Sequence, residues 1–501
     1  LDCILKIPRS EIMRVLARNL LLLSAVLGPA VFGQAAAAAG NPSEEEKKTV
    51  QIVLYPAPEP RPALKYQLLP PFLERRPGNA AVWWNGIPGE RTVFFAEFDK
   101  EWENIITWLN IPLNDPREKA YRAKELATAI QLLGGGGVFS DMARAAQFES
   151  CDWQLPIRDG NFIAIPLPNV QHAREYARLL AAKAHLQIAE GKYVEAVRTL
   201  QTGYAEARHV AEGQTLINSL VGVTIAGMMS DQVQQLIQQP GAPNLYWALS
   251  SLPRPLVDFR PGVEAESNLL CLQFPELRDL DKKTLSPDEW RELLRRIVNE
   301  YYPILNVESP LPRAEYQASI TLTAISGYPS AKRYLVEHGR TAAEVEAMPV
   351  AQVVLLYTVS LYDELSDEQF KWFYLPFTEG GAALRRANRD LREALAAEHE
   401  IIPFAAIFLP ASAATKEAET RLQWVMASLR IFEAMRLYAA NHEGRWPDRL
   451  SDITEVPVPL NPYDGKPFLY ERQGDKVLLT VENGPQNFHR RFEITLRQKR
   501  S

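Results

Sequence analysis

Three residue types able to do nucleophilic chemistry fall close together in one segment. Cys151 and Asp152 open the stretch "CDWQLPIRDGNFIAIPLPN", which also carries Trp153, Arg158 and Asp159, and His172 follows at the start of a helical pattern. A thiol, a carboxylate and an imidazole brought together in space would supply a nucleophile, a base and an orienting group. The same residues also suit a structural part, with Cys151 and Trp153 packing, Asp152 capping and Arg158 pairing. The sequence favours that second reading because no catalytic motif is complete. There is no G-x-S-x-G elbow, no C-x-x-C, no dinucleotide fingerprint and no EF-hand loop. His172, His185, His209, His338, His399, His442 and His489 include no pair at i, i+3 or i, i+4, the spacing that sets two ligands on one helical face. No catalytic, metal or cofactor residue is therefore assigned. The aromatic run Trp83, Trp84, Phe94, Phe95, Phe98, Trp102 and Trp108 has ring faces suited to a carbohydrate or peptide groove, although packing within the first helices is the commoner use.

The elements that would position these residues are mostly helices. From Ala173 to Glu190, Ala177, Leu180, Ala184 and Ile188 recur at steps of three and four, and after Gly191 and Lys192 a second stripe of the same period runs Tyr193, Ala196, Val197, Leu200, Tyr204. This predicts an antiparallel helical hairpin across a tight turn. The next run, "TLINSLVGVTIAGMMSDQVQQLI", is apolar almost all round, which predicts a helix covered by other helices. Its apolar centre, Leu216 to Met229, is shorter than the roughly 20 residues of a bilayer span. Upstream, Asp115 as N-cap and Pro116 at the first helical position open a helix that Gly134 ends, and the glycines at 134–137 lack the Lys and Ser/Thr of a P-loop. Capping boxes are expected at Ser286 with Glu289, Thr341 with Glu344 and Ser366 with Gln369.

The two ends differ from this body. Residues 1–40 read as a signal peptide with an upstream extension: Arg14 and Arg18 precede an apolar run from Leu20 to Phe32 and the small-residue segment "QAAAAAG". An uncleaved N-terminal helix that tethers the protein is the alternative. Residues 41–90 form an extended arm, since Pro56, Pro58, Pro60, Pro62, Pro70, Pro71 and Pro77 fix φ and remove donors; the interleaved Leu54, Tyr55, Leu64, Tyr66, Leu68, Leu69, Phe72 and Leu73 suit wrapping of the chain's own helical body. Residues 91–415 are a helical domain. Residues 416–501 are a small α+β module, in which a helix with Leu422, Val425, Leu429, Phe432, Met435 and Tyr438 on one face gives way at Gly444 and Pro447 to "KPFLYER", "KVLLTVEN" and "RRFEITLR", short antiparallel strands joined at Gly474 and Gly484. The fold class is mainly α: a helical-hairpin body with that α+β module at its C-terminal end.

Three resemblances accompany this reading. The hairpin "AEGKYVEAVRTLQTGYAEA" resembles one tetratricopeptide unit, with small Ala184 and Ala196 at the helix contact and Tyr193 opening the second helix, while Gln187 stands where that repeat has an aromatic. The final module resembles the globular part of bacterial pseudopilins through Ala434, Leu437, Tyr438, Gly444, Pro447, Pro462, Gly465, Pro467 and Tyr470; those proteins join it directly to an assembly helix, and here some four hundred residues intervene, so assembly into a pilus is not implied. The stretches "YPAPEPRPALKYQLLP", "CDWQLPIR", "LQTGYAEARHVAEGQTLINSLVG" and "QQPGAPNLYWALSSLPRPLVD" look like those of secreted, mainly helical, uncharacterised proteins of planctomycete-type bacteria, which implies an envelope or secreted address and brings no catalytic residue.

Composition sets the limits. The 501 residues are 47% hydrophobic and 23% charged, ordinary for a globular chain, and residues 1–40 hold a net +2 of the overall −6, leaving −8 on the remainder. An acidic body without basic runs excludes nucleic acid and an anionic membrane surface as partners. Beyond the leader, Cys151 and Cys271 suit either one disulfide or, more plainly, two free thiols. The function expected is a non-enzymatic, exported envelope or periplasmic protein, a helical scaffold for other envelope proteins with no membrane span once the signal is removed. The alternative is an extracytoplasmic hydrolase with an unrecognised site.

Overall fold

The structure, a computed structural model, describes residues 49–87, 99–122, 130, 137–305, 312–396, 400–409, 412–480 and 491–497. The leader, Phe94, Phe95, Phe98, the glycines at 134–136, His399, Gly484 and His489 lie outside them. In chain order the principal elements are β1 (Thr49–Leu54), β2 (Arg76–Asn79), α1 (Ala81–Gly86), α2 (Asp99–Leu109), α3 (Pro116–Arg122), α4 (Val138–Ala145), β3 (Phe148–Ser150), α5 (Pro168–Ala189), α6 (Tyr193–Ala211) and α7 (Leu216–Ile237). They continue with α8 (Pro287–Leu305), α9 (Arg313–Glu337), α10 (Val350–Phe370), α11 (Phe377–Ala396), α12 (Ser412–Asn441), β4 (Leu469–Gln473), β5 (Lys476–Thr480) and β6 (Arg491–Leu496). The fold is mainly α with a small sheet near the C-terminal end. Among the described residues, no helix is long and apolar enough to cross a membrane. The chain divides into two compact units, one of residues 49–154, 166–262 and 417–497 and the other of residues 155–165 and 263–416, a division that cuts across the segments read from sequence.

The first unit is built on α5, α6 and α7. Gly191, at φ 75°, turns α5 into α6, and the N–H groups of Gly191 and Lys192 close the helix end on Ile188 and Gln187 at 3.0 and 2.8 Å. Ala184 and Ala196 are both fully buried between the two helices. Where the tetratricopeptide pattern has an aromatic, Gln187 instead accepts a 2.7 Å hydrogen bond from Thr199. Thr215 caps α7 by accepting from Asn218 N–H at 3.1 Å. Leu220, Val221, Ile225, Ala226, Met229 and Val233 then bury most of that helix, as its sequence requires, and Ile217 and Asp231 stay exposed. It approaches α6 so closely that a Cβ on Gly222 would lie 2.6 Å from the Ala207 carbonyl oxygen.

The same unit contains the sheet, of order β1-β6-β5-β4. β4, β5 and β6 are antiparallel, as expected, and their inner side rests on α12, where Trp424 stacks on Phe492 at 5.6 Å. The arm is not wholly irregular. Its "TVQIVL" alternates inward Ile52 and Leu54 with outward neighbours and pairs in parallel with β6, from Thr49 opposite Arg491 to Leu54 opposite Leu496. Past β1 the arm follows the helical body: Leu54, Ala57 and Leu68 are buried, whereas Leu64, Phe72 and Leu73 face solvent. An ion pair fixes its path. Arg436 and Glu433, both fully buried on α12, bond at 2.8 Å, and the guanidinium also donates to the carbonyls of Tyr55 (3.0 Å), Ala242 (2.7 Å) and Pro243 (3.2 Å).

The second unit packs α8, α9, α10 and α11 around an aromatic cluster. Tyr301 meets Phe404 edge to face at 4.7 Å and donates to Pro403 O at 3.1 Å, with Phe274 and Tyr362 on the same ring. The expected capping boxes at Ser286 and Thr341 are present. The one expected at Ser366 is not: Ser366 and Gln369 lie inside α10, both buried, and Gln369 joins Ala387 O and Ser412 across the core at 2.9 and 3.1 Å. An S-x-x-Q pattern within a strong helical run does not stop the helix, because nothing in it breaks the backbone.

Candidate functional site

The loop that sequence singles out is taken apart by the fold. Its residues fall on both sides of the boundary between units, which lies between Gln154 and Leu155. Arg158 and Asp159 are exposed in the second unit, and Cys151, Asp152, Trp153 and His172 belong to the first. Cys151 is buried, its N–H donating to Glu212 Oε2 at 2.6 Å. Burial, then the nearby Glu212 and Asp152 carboxylates, push the thiol's pKa far up, so it stays protonated. Asp152 is exposed and tied locally, its carboxylate accepting from Gln154 N–H at 2.9 Å and its backbone clasped by Asn79. Among the described residues, no hydrogen bond or ion pair joins Cys151, Asp152 and His172. Cys151 and Cys271 are free thiols. The described residues also contain no group of three or more His, Cys, Asp or Glu able to hold a metal.

What the fold does assemble lies one step along the same elements. Trp84 and Asn85 of α1, Trp153 of the loop, Asn169, His172 and Tyr176 of α5 and Glu206 of α6 line a narrow, half-open cleft of about 10 Å³, room for one water. Glu206 is fully buried and Asn169 is 6% exposed. Among the described residues, neither Glu206 oxygen and neither Asn169 amide atom has a hydrogen-bond partner. Burial alone raises the Glu206 pKa well above the ordinary carboxyl range, so the group keeps its proton when the cleft is empty.

The aromatic walls are held by a single imidazole. Trp84 Nε1–H donates to His209 Nδ1 at 3.1 Å, which leaves the proton on Nε2 to bond Phe148 O at 2.9 Å, while Trp153 Nε1–H donates to the His209 carbonyl at 2.7 Å. Burial lowers the His209 pKa to about 4, so the ring is neutral. Trp84 also stacks on Tyr176 at 6.3 Å. Of the aromatic run, then, Trp84 and Trp108 are core residues. Trp108 is fully buried and bonds Glu118 at 3.1 Å and the edge of His185 at 4.5 Å, while Trp83 stacks on Phe148.

Sequence reasoning passed over Glu206 and Asn169 because each reads as one polar residue on a helix surface. The available signal was composition: Ala205 and Ala207 flank Glu206, and Gly203 and Val210 lie one turn away on its side of α6, which marks that side for packing.

A second cavity lies at the other end of the hairpin. It is an open groove of about 280 Å³ between α4 and the facing turns of α5 and α6, lined by Phe139, Leu180, Lys183, Glu195 and Arg198 among others. Lys183 Nζ sits 4.0 Å from the Phe139 ring centre, and burial lowers its pKa. No family model, no curated protein and no solved structure matches the chain.

Proposed function

We propose that the protein is a non-enzymatic, exported scaffold of the envelope or periplasm, whose helical body holds other proteins by short extended segments. The observation that carries this reading is the groove beside the hairpin. It holds about 280 Å³, is lined by the apolar Phe139, Ala143 and Leu180, and sets two cations, Lys183 and Arg198, against the one anion Glu195. Such a surface suits an extended segment with an apolar side chain and a carboxylate, from an acidic residue or a C-terminus. The state of the ionisable groups agrees with a binding role: Cys151 is kept as a thiol, His185 and His209 as neutral rings and Glu206 as a protonated acid, each by burial and none beside a partner set to move its proton. The leader-like N-terminal sequence supports export.

A panel of fluorescent acidic and amidated control peptides titrated against the full chain tests the groove. Acidic peptides should bind saturably and more weakly in high salt, and Arg198→Glu, at an exposed position, should weaken them about tenfold without changing thermal stability. Equal binding of acidic and control peptides, or indifference to Arg198→Glu, overturns the reading.

A further inference from the structure

The cleft at the N-terminal end of α5 has a chemistry the scaffold reading does not use. Among the described residues, its two unpartnered side chains present the Glu206 carboxyl oxygens and the Asn169 carbonyl oxygen as acceptors, with the Glu206 acid proton and the Asn169 amide as donors. The indole N–H groups that would serve an anion are turned away, committed to the His209 ring and backbone. What remains of Trp84, Trp153 and Tyr176 is aromatic wall, whose electron-rich faces attract cations. The space admits one water-sized group, which excludes a sugar ring or a quaternary ammonium. A buried acid excludes carboxylates and phosphates.

We propose that this cleft is a receptor for one primary ammonium group, either free ammonium or the amino end of a lysine side chain or short alkylamine. The ammonium N–H groups would bond the Glu206 and Asn169 oxygens while the rings close around the charge. Binding requires the Glu206 proton to leave to solvent as the ammonium cation enters, so the carboxylate forms opposite the bound cation and the net charge of the cleft is unchanged. Among the lining residues, the other titratable groups are His172 and Tyr176 of α5, and α1 and the Trp153 loop present none. Because burial favours the Glu206 acid when the cleft is empty, affinity should rise with pH, by at most about tenfold per unit, and stop rising when the amine itself loses its proton.

Calorimetry on the full chain, in two buffers of different ionisation enthalpy, tests this with ammonium, methylammonium, Nα-acetyl-lysine amide, potassium and tetramethylammonium. Ammonium should bind saturably with release of about one proton. Methylammonium and the lysine amide should also bind if the source is an amino end, whereas ammonium alone binding assigns the free ion. Potassium and tetramethylammonium should not compete. Glu206→Gln, which resembles the empty acid, should leave the fold intact and weaken binding ten- to hundred-fold, the size of a charge-assisted hydrogen bond. Asn169→Leu gives a second reading should the first variant not fold, and His172→Gln, which should leave the released proton unchanged, is the control for the neighbouring imidazole. Potassium binding as well as ammonium, binding without proton release, or no saturable binding by any amine would each overturn the proposal.

Discussion

His209 is a base kept dry, and its environment has a measurable sign. Folding lowers its pKa from 6.5 to about 4 through burial, against the hydrogen bond to Phe148. The imidazole therefore adds stability above about pH 6.5 and loses it as pH falls towards 4, since over that window the unfolded chain takes up a proton that the folded chain refuses. In His209→Gln this contribution is absent. The stability gap between the wild type and the variant, by urea unfolding, should shrink by about 2 kcal/mol between about pH 7.5 and pH 5. A gap that stays constant with pH would show that the ring titrates freely. Nothing in the sequence reveals this residue's state, because Trp84 and Phe148, which fix its tautomer, are far from it along the chain. The same holds for Arg436: it reads as one more surface cation of a charged helix, and its burial depends on carbonyls from Tyr55, Ala242 and Pro243. A polar residue's burial is set by long-range neighbours, which periodicity does not record.

At the level of the element, local grammar served well. The hairpin, its Gly191 turn, the apolar α7 and two capping boxes were readable because each follows from spacing within one or two turns of chain. Two elements were misread for the same reason. Ser366 and Gln369 have a cap's spacing inside an uninterrupted helix, and "TVQIVL" has a strand's alternation but sits before so many prolines that the whole segment looks irregular. The contact of α6 with α7 has a sharper requirement than apolarity. Gly222 faces the Ala207 carbonyl, and an added methyl would lie 2.6 Å from that oxygen and 3.1 Å from the Ala211 Cβ. Gly222→Ala should therefore destabilise the protein by about 1–3 kcal/mol, although alanine favours a helix over glycine by about 1 kcal/mol, with the unfolding midpoint as readout. A more stable variant would mean that the two helices can separate at no cost.

For the whole molecule, the division into two units was the least legible feature. Each is assembled from segments distant in sequence, and the loop from Cys151 to Asn169 crosses between them more than once. The sheet is likewise not the property of residues 416–501 alone, since β1 supplies its edge beside β6. Ile52, 1% exposed opposite Ile494, marks the junction. Ile52→Asp would bury a carboxylate without a partner and should cost about 3 kcal/mol or more, seen as lost amide protection in residues 491–496 while α5 and α6 keep theirs. Unchanged protection in β6 would show that the strand is ornamental to the sheet.

The pairing of Thr49 with Arg491 also dictates a calendar. On a ribosome β1 emerges long before β6, so the greasy side of Ile52 and Leu54 waits for its partner strand while the helices between them are made. A sheet arranged this way cannot close before the second of the two strands has been made. That interval leaves the nonpolar edge open to chaperones until the helices between the two strands have been made.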